Sequence, residues 1–142
     1  MAHWLVKSEP EAFSWQMQVA HGVEPWTGVR NHTAKQNLQR MRLGEQAFFY
    51  HSNTGKEIVG VVEVARVAYP DPSADPGAPW VAVDVRTVAA LSRPVTLLQI
   101  KADPVLNGMA LLKYSRLSVS PVTDAEWDYI LRLAGGLANT VK

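Results

Sequence analysis

The sequence predicts an α+β fold in which about five to six strands form a curled sheet or small barrel flanked by helices. Segments with strand-like alternation are interspersed with helix-like segments along the whole chain. The 142 residues suit one core, since dividing them would leave two cores of marginal size. Apolar residues make up 47% of the chain and charged residues 19%, which is typical of globular proteins. We therefore expect residues 1–142 to form a single domain.

The first third of the chain predicts two strands and two helices. Residues 3–7 alternate in polarity as a half-buried strand does, and residues 46–50 form a second strand-like run. Between them, Ser14 is placed to cap a short helix that ends at Gly22. Residues 31–41 have helix-forming composition, which predicts a second helix.

The middle of the chain predicts two longer strands joined by a loop. Residues 58–68 are rich in β-branched side chains, and residues 80–88 alternate cleanly between the two faces of a strand. Residues 69–79 contain four prolines, which predicts a turn-rich surface loop inside the domain. Thr96 is placed to cap a short helix that runs through Lys101.

The last part of the chain predicts one short strand and one helix. Residues 117–119 are consistent with the strand, and residues 123–126 have the capping-box pattern that begins a helix. Apolar side chains then recur at helical spacing between residues 127 and 134. The glycine pair at 135–136 is expected to end this helix, and we expect residues 134–142 to be a frayed tail.

Composition restricts the classes of function. The chain has no cysteine, which excludes disulfides, thiolate metal ligands and cysteine nucleophiles. Its four histidines are scattered without a metal-binding pair, so we expect neither a metal site nor a cofactor. The longest apolar runs have the length of strands, so no membrane association is expected, and no signal peptide is evident. A cytoplasmic location follows from these features.

The charge is nearly balanced overall but uneven along the chain. The formal net charge is only +1, yet residues 25–44 contain no acidic side chain. The basic residues of this segment are Arg30, Lys35, Arg40 and Arg42. Such a basic face is compatible with salt-sensitive contacts to phosphates, and equally with a solvated helix surface.

Polar side chains cluster where predicted strands end. Residues 4–10 and 48–53 begin as apolar strand sequence and finish in polar side chains, and residues 25–31 combine Trp26 with a glycine, an arginine and an asparagine. A rigid sheet can present polar groups at its strand ends, and an indole ring offers a flat stacking surface. The combination favours a pocket for a planar, hydrogen-bonding molecule such as a nucleobase.

Several blocks of the sequence resemble the EVE domain family. In chain order these blocks are residues 4–10 (WLVKSEP), 25–31 (PWTGVRN), 48–53 (FFYHSN), 60–64 (GVVEV), 69–72 (YPDP) and 115–121 (SRLSVSP). The resemblance implies a PUA-like fold, a curled β-barrel flanked by helices and related to YTH domains, which read a methylated adenine in RNA. It also implies a reader of modified bases in DNA or RNA.

The resemblance and the polar strand ends together give the candidate site. The predicted ligand-binding residues are Lys7, Ser8, Glu9, Trp26, Gly28, Val29, Arg30, Asn31, Tyr50, His51, Ser52, Asn53 and Ser115. The predicted phosphate contacts are Arg30, Lys35, Lys56 and Arg116. In this interpretation Trp26 is a stacking wall, Ser8 and Asn31 read the base, and the partner is a nucleic acid that carries a modified base.

Most of these residues have a structural alternative. Trp26 could cover the adjacent helix, and Asn31 could be an N-cap. Glu9 could pair with Lys7 or with Arg30 instead of contacting a ligand. The other tryptophans and Phe48 lie at strand or helix spacing and are expected in the core: Trp4, Trp80 and Trp127.

Three functions are compatible with the sequence. The principal hypothesis is a non-catalytic reader of a modified base. A second is a hydrolase similar to the ASCH group, in which Lys7, Glu9 and His51 supply the nucleophile, the base and a proton shuttle. A third is a sensor of a free modified nucleoside. A reader loses affinity steeply with salt because phosphates contribute to binding, whereas a nucleoside sensor does not.

Overall fold

A computed structural model describes residues 1–138, which form one six-stranded sheet with helices packed on it. The strands are β1 (His3–Ser8), β2 (Val23–Trp26), β3 (Gln46–His51), β4 (Glu57–Pro70), β5 (Val81–Thr96) and β6 (Val119–Val122). The α-helices are α1 (Trp15–His21), α2 (His32–Arg40), α3 (Leu97–Ala102), α4 (Ala110–Lys113) and α5 (Asp124–Leu133), with a 3-10 helix at Pro104–Leu106. The predicted α+β class is confirmed.

The sheet is mixed, curled and open. Its strand order is β2-β5-β4-β3-β1-β6, with β1 parallel to β3 and the other neighbours antiparallel. The register between β4 and β5 shifts at several points, and such irregularities bend a strand and increase its twist. The two long strands therefore curl the sheet, but β2 and β6 remain as edges and no barrel closes.

Each central strand is buried on both faces. On β3, Ala47 and Phe49 point into one core cluster, whereas Phe48 and Tyr50 point into the other. The first cluster includes Trp26 and is covered by α1 and α2. The second cluster is covered by α5 and the segment between β5 and β6. The sheet therefore separates two hydrophobic cores.

The predicted helix caps are present. The side chains of Ser14, Asn31, Thr96 and Thr123 each accept a hydrogen bond from a backbone N–H in the first turn of the following helix. Thr96 and Thr123 form complete capping boxes. These local signals were sufficient to place four of the helices.

Several strands differ from the prediction, and one is β6, which spans Val119–Val122 instead of residues 117–119 because these four residues pair with β1. The sequence analysis does not identify β2, because its four residues include Pro25, and proline removes a backbone donor. β2 lies at the sheet edge, where that donor is not needed. β5 continues to Thr96, past the predicted end at residue 88, because its second half pairs with the start of β4.

The chain after α5 also differs from the expectation of a frayed tail. Backbone N–H groups of Ser92 and Arg93 donate to the carbonyls of Gly136 and Ala134, and Leu137 bridges to Leu91. Residues 134–138 therefore pack against β5, while residues 139–142 lie outside the described part of the chain.

No helix within residues 1–138 is both long enough and apolar enough to cross a bilayer.

Candidate functional site

A cavity of about 540 Å³ opens beside the C-terminal end of β1. We call it the Trp26 cavity. Its walls come from the end of β1, the turn after it, helix α1, strand β2 and the loop that leads into α2. Among the predicted site residues it is lined by Lys7, Ser8, Glu9, Trp26, Gly28, Val29 and Arg30. Parallel pairing of β1 with β3 brings the polar end of β1 to this edge of the sheet.

Two further cavities continue from the Trp26 cavity. The Tyr50 cavity, of about 570 Å³, is lined by Tyr50, Ser52, Asn53, Lys56, Ser115 and Arg116, and it shares Lys7, Glu9 and Ser118 with the first. The Tyr114 cavity, of about 620 Å³, shares Ser115 and Arg116 with the second. Most of the predicted residues are thus distributed over a row of adjoining cavities instead of a single pocket.

Trp26 is a core residue that reaches the cavity wall. It is the last residue of β2, which the sequence does not predict, and it is only 7% exposed. Its ring meets Phe49 and Phe13 edge-on, with centroids 5.6 and 6.1 Å away. Trp26 therefore offers only a small part of its ring to the cavity, and its role as a stacking wall stays a prediction. Phe13, which the sequence analysis misses, is only partly buried and contributes a second aromatic ring to the same cavity.

Asp71 holds the loop that forms the cavity rim. Its Oδ2 accepts hydrogen bonds from the Gly28 backbone N–H at 2.9 Å and from Arg30 at 3.0 Å, and its Oδ1 accepts from Ser73. The Asp71 side chain is completely buried. Burial by itself would raise the pKa of this carboxyl, but the hydrogen bonds from Ser73, Gly28 and Arg30 outweigh burial and lower its pKa to about 2. Arg30 is therefore paired with Asp71, and the considered Glu9–Arg30 pair is not formed.

Lys7 lies where the Trp26 and Tyr50 cavities meet. Its Nζ donates to the Ser115 carbonyl at 2.8 Å, and burial lowers the pKa of its ammonium group. The ammonium also lies 6.0 Å from the Tyr50 ring centroid, and burial raises the pKa of Tyr50. Among residues 1–138 no carboxylate forms an ion pair with Lys7, so the considered pair with Glu9 is absent too.

The predicted base readers Ser8 and Asn31 are both engaged in local structure. The Ser8 hydroxyl donates to the Phe13 carbonyl at 2.5 Å, which fixes the turn between β1 and α1. The Asn31 Oδ1 accepts from Ala34 N–H as the N-cap of α2. Asn31 lines the Tyr114 cavity and not the Trp26 cavity. The N-cap alternative is thus the geometry that Asn31 adopts.

His51 is separated from the cavities. Its Nε2 accepts a hydrogen bond of 3.0 Å from the Trp15 backbone N–H, at the start of α1, and His51 lines none of the three cavities. Burial lowers the pKa of the imidazole, although the nearby carboxylates of Glu57 and Glu11 oppose this. The neutral ring is therefore a helix-capping group, and the predicted contact of His51 with a ligand is not made by this geometry.

The acceptor role of His51 makes stability dependent on pH. Because its folded pKa lies below the ordinary value of 6.5, the unfolded chain binds the proton first as the pH falls. His51 therefore stabilises the fold fully above pH 6.5, and this contribution decreases as the pH falls toward the folded pKa. In urea unfolding at pH 7.5 and 5.5, we expect the stability of the wild type relative to His51→Gln to decrease at the lower pH. Parallel changes in both proteins would contradict this role.

The predicted phosphate contacts have different surroundings. Lys56 and Arg116 line the Tyr50 cavity, whereas Lys35 lines none of the three. Lys35 and Arg30 instead lie about 6 Å from the Trp80 ring centroid, at 6.0 and 5.8 Å respectively. Trp80 itself precedes β5 and is only partly buried, so its expected core position is wrong. The proline-rich loop before it leads the ring onto α2, where it packs against His32.

The curled mixed sheet with helices on both faces places the chain among α+β domains of the PUA-like fold. The sequence pattern of the EVE domain matches residues 2–133, and the chain therefore belongs to the EVE domain family. The resemblance noted from the sequence is confirmed.

Two related proteins illustrate the similarity. Human thymocyte nuclear protein 1 is 34% identical over 93% of this chain and 73% of its own length. The solution structure of a protein from Rhodopseudomonas palustris is 53% identical, covers 100% of this chain and 99% of the other, and has a TM-score of 0.91. A crystal structure of the human THYN1 protein in complex with DNA containing 5-methylcytosine is 34% identical, covers 97% and 100% of the two chains, and has a TM-score of 0.88.

Proposed function

We propose that this protein is a non-catalytic reader of a modified base in DNA, and that the base enters the Trp26 cavity. The observation that carries the proposal is the similarity over 97% of the chain to the human THYN1 protein, whose structure contains DNA with 5-methylcytosine. The cavity supports it because its volume of about 540 Å³ falls within the usual range for ligand pockets. Aromatic rings form part of its wall, and polar groups of the β1 end form its rim.

The neighbouring cations suit the backbone of the same nucleic acid. Lys7, Lys56 and Arg116 line the Tyr50 cavity, which adjoins the proposed base site. A nucleotide with its base in the Trp26 cavity would place its phosphates near these groups. Base extrusion from a duplex costs a few kcal/mol, so single-stranded or mismatched sites should bind better than paired ones.

The hydrolase hypothesis receives less support from the geometry. Its three candidate groups are Lys7, Glu9 and His51, but His51 lines none of the cavities and its Nε2 already accepts a hydrogen bond from Trp15. Lys7 is tethered to the Ser115 carbonyl. The three groups therefore do not form a common reacting centre.

Binding of labelled oligonucleotides tests the proposal. DNA and RNA strands with cytosine or 5-methylcytosine at one position, single-stranded and duplex, are titrated at two salt concentrations, and the bound strand is analysed for conversion. We expect salt-sensitive binding that prefers the methylated DNA, without conversion. Equal affinity for modified and unmodified strands would overturn the proposal for this modification, and conversion of the strand would replace the reader with an enzyme.

Phe13 gives a sharper test of the base site than Trp26 does. Trp26→Ala removes a core side chain and is expected to destabilise the fold by about 3–5 kcal/mol, which would confuse the measurement. Phe13 is only partly buried, so Phe13→Ala should leave the protein folded and weaken binding of the modified strand about tenfold by loss of aromatic contact. Leu98→Ala is the control, because Leu98 is 78% exposed and lies on α3, outside the Trp26 cavity. Unchanged binding by Phe13→Ala would place the base elsewhere.

A further inference from the structure

We propose that the Tyr114 cavity holds the base of the nucleotide next to the modified one, so that the protein reads two adjacent bases. This inference rests on the proposed function. The Tyr114 cavity lies at the other end of the row of cavities, formed by the start of α2, helix α4, the segment after it and the edge strand β6. Its volume of about 620 Å³ is comparable to that of the Trp26 cavity.

The walls of this cavity combine flat apolar surface with one buried amide. Tyr114 is 60% exposed, which leaves its ring accessible for stacking, and Leu117 and Pro121 add apolar surface. Asn37 also lines the cavity and is only 5% exposed. A mixture of stacking surface and a fixed amide suits an unpaired nucleobase.

The Asn37 amide is oriented by the sheet edge. Its Nδ2 donates to the Val119 carbonyl on β6 at 2.7 Å. Within residues 1–138 the structure shows no hydrogen bond to its Oδ1. Among the described residues the fully buried side-chain atoms without a partner are Gln18 Oε1 and Ser120 Oγ, so the Asn37 Oδ1 atom keeps solvent contact and can be reached from the cavity. A ring N–H or exocyclic amine of a base in the cavity could therefore donate to it.

The charge around the cavity matches a nucleotide chain. No acidic side chain is among the lining residues of the Tyr114 cavity. Arg116 lines both this cavity and the Tyr50 cavity, and within the described residues it forms no ion pair. It differs in this from Arg30, which Asp71 holds. Arg116 is therefore placed to contact the phosphate between the two bases.

Continuity between the cavities makes a single bound strand possible. Lys7 and Ser118 line both the Trp26 and Tyr50 cavities, and Ser115 and Arg116 line both the Tyr50 and Tyr114 cavities. The bond from Lys7 Nζ to the Ser115 carbonyl ties the two junctions together. One strand can therefore run from the Trp26 cavity past Lys7 and Arg116 to the Tyr114 cavity.

Abasic substitution tests this arrangement directly. Single-stranded DNA with one 5-methylcytosine is compared with the same strand carrying an abasic site on its 5′ side or on its 3′ side, using wild type, Tyr114→Ala and Tyr114→Phe. We expect one of the two abasic strands to bind the wild type about tenfold more weakly. Tyr114→Ala should bind the intact strand about as weakly as the wild type binds that abasic strand, and it should bind the abasic strand no more weakly still. Tyr114→Phe should behave as wild type.

The outcomes separate this inference from the proposed function. If neither abasic strand binds more weakly while methylated and unmethylated strands are still distinguished, the second base site is wrong and the reader stands. If the strands are not distinguished at all, the reader itself fails for this base. Arg116→Gln could weaken binding at low salt but not at high salt, while Tyr114→Ala leaves binding unchanged. This result would mean that only a phosphate is bound near the Tyr114 cavity, and it would overturn the two-base arrangement.

Discussion

Asp71→Ala is expected to lower the free energy of unfolding by about 3 kcal/mol and to weaken binding of the modified strand. The substitution leaves the Gly28 N–H without its acceptor and Arg30 without its counterion, and removing one partner of a buried pair is costly. The loop of residues 27–30 forms one rim of the Trp26 cavity, so greater mobility of this loop should weaken the contacts that hold the base. Urea unfolding and oligonucleotide titration measure the two effects.

The matched control for Asp71 lies in the same proline-rich loop between β4 and β5. Asp75 is exposed, and Asp75→Ala should change stability by less than about 0.5 kcal/mol. Acid titration gives a second readout, because the pKa of Asp71 is about 2 in the folded protein and 3.8 as a free side chain. Its contribution is complete above pH 3.8 and is lost as the pH falls toward 2, so Asp71→Asn should lack this part of the acid dependence. Equal effects of the Asp71 and Asp75 variants would show that Asp71 does not hold the rim.

Gly60→Ala is the second substitution with a large expected effect, about 3 kcal/mol of destabilisation. The Cβ of an alanine at position 60 would lie 2.3 Å from Cη2 of Trp15, and Trp15 is buried against Phe49. The added methyl group would overpack the contact between this indole and Phe49, so we expect α1 to be displaced. Because α1 carries Met17 and His21 into the Trp26 cavity, binding of the modified strand should weaken as well.

Two further variants test the cause of this destabilisation. Gly108→Ala is the control, because no heavy atom lies within 4 Å of the added Cβ and its backbone conformation is open to other residues. It should be neutral within about 0.5 kcal/mol. Trp15→Leu should be destabilising alone, but Gly60→Ala should cost much less in its background, with a coupling energy of about 2 kcal/mol. Additive losses in the double variant would mean that Gly60 is needed for another reason than contact with Trp15.

Features that depend on neighbouring residues could be predicted from the sequence. The caps at Ser14, Thr96 and Thr123 act within the first turn of their helices, so a few adjacent letters specify them. The alternation of residues 80–88 likewise predicts a strand, which the first half of β5 confirms. The ordered blocks that resemble the EVE domain predicted the family, which the match over residues 2–133 confirms.

The sequence by itself thus determined the fold class, most helices and strands, and most of the residues that line the candidate site. The tertiary structure alone decided which polar groups remain available there. Asp71 reaches Gly28 across 43 positions, and His51 reaches Trp15 across 36. Such partners depend on the sheet register and on the curl of β4 and β5, which are set by the packing of both cores and by no local pattern. For this reason Trp26, Asn31 and His51 were assigned to one pocket from the sequence, whereas the folded chain uses them as a core ring, a helix cap and a capping acceptor.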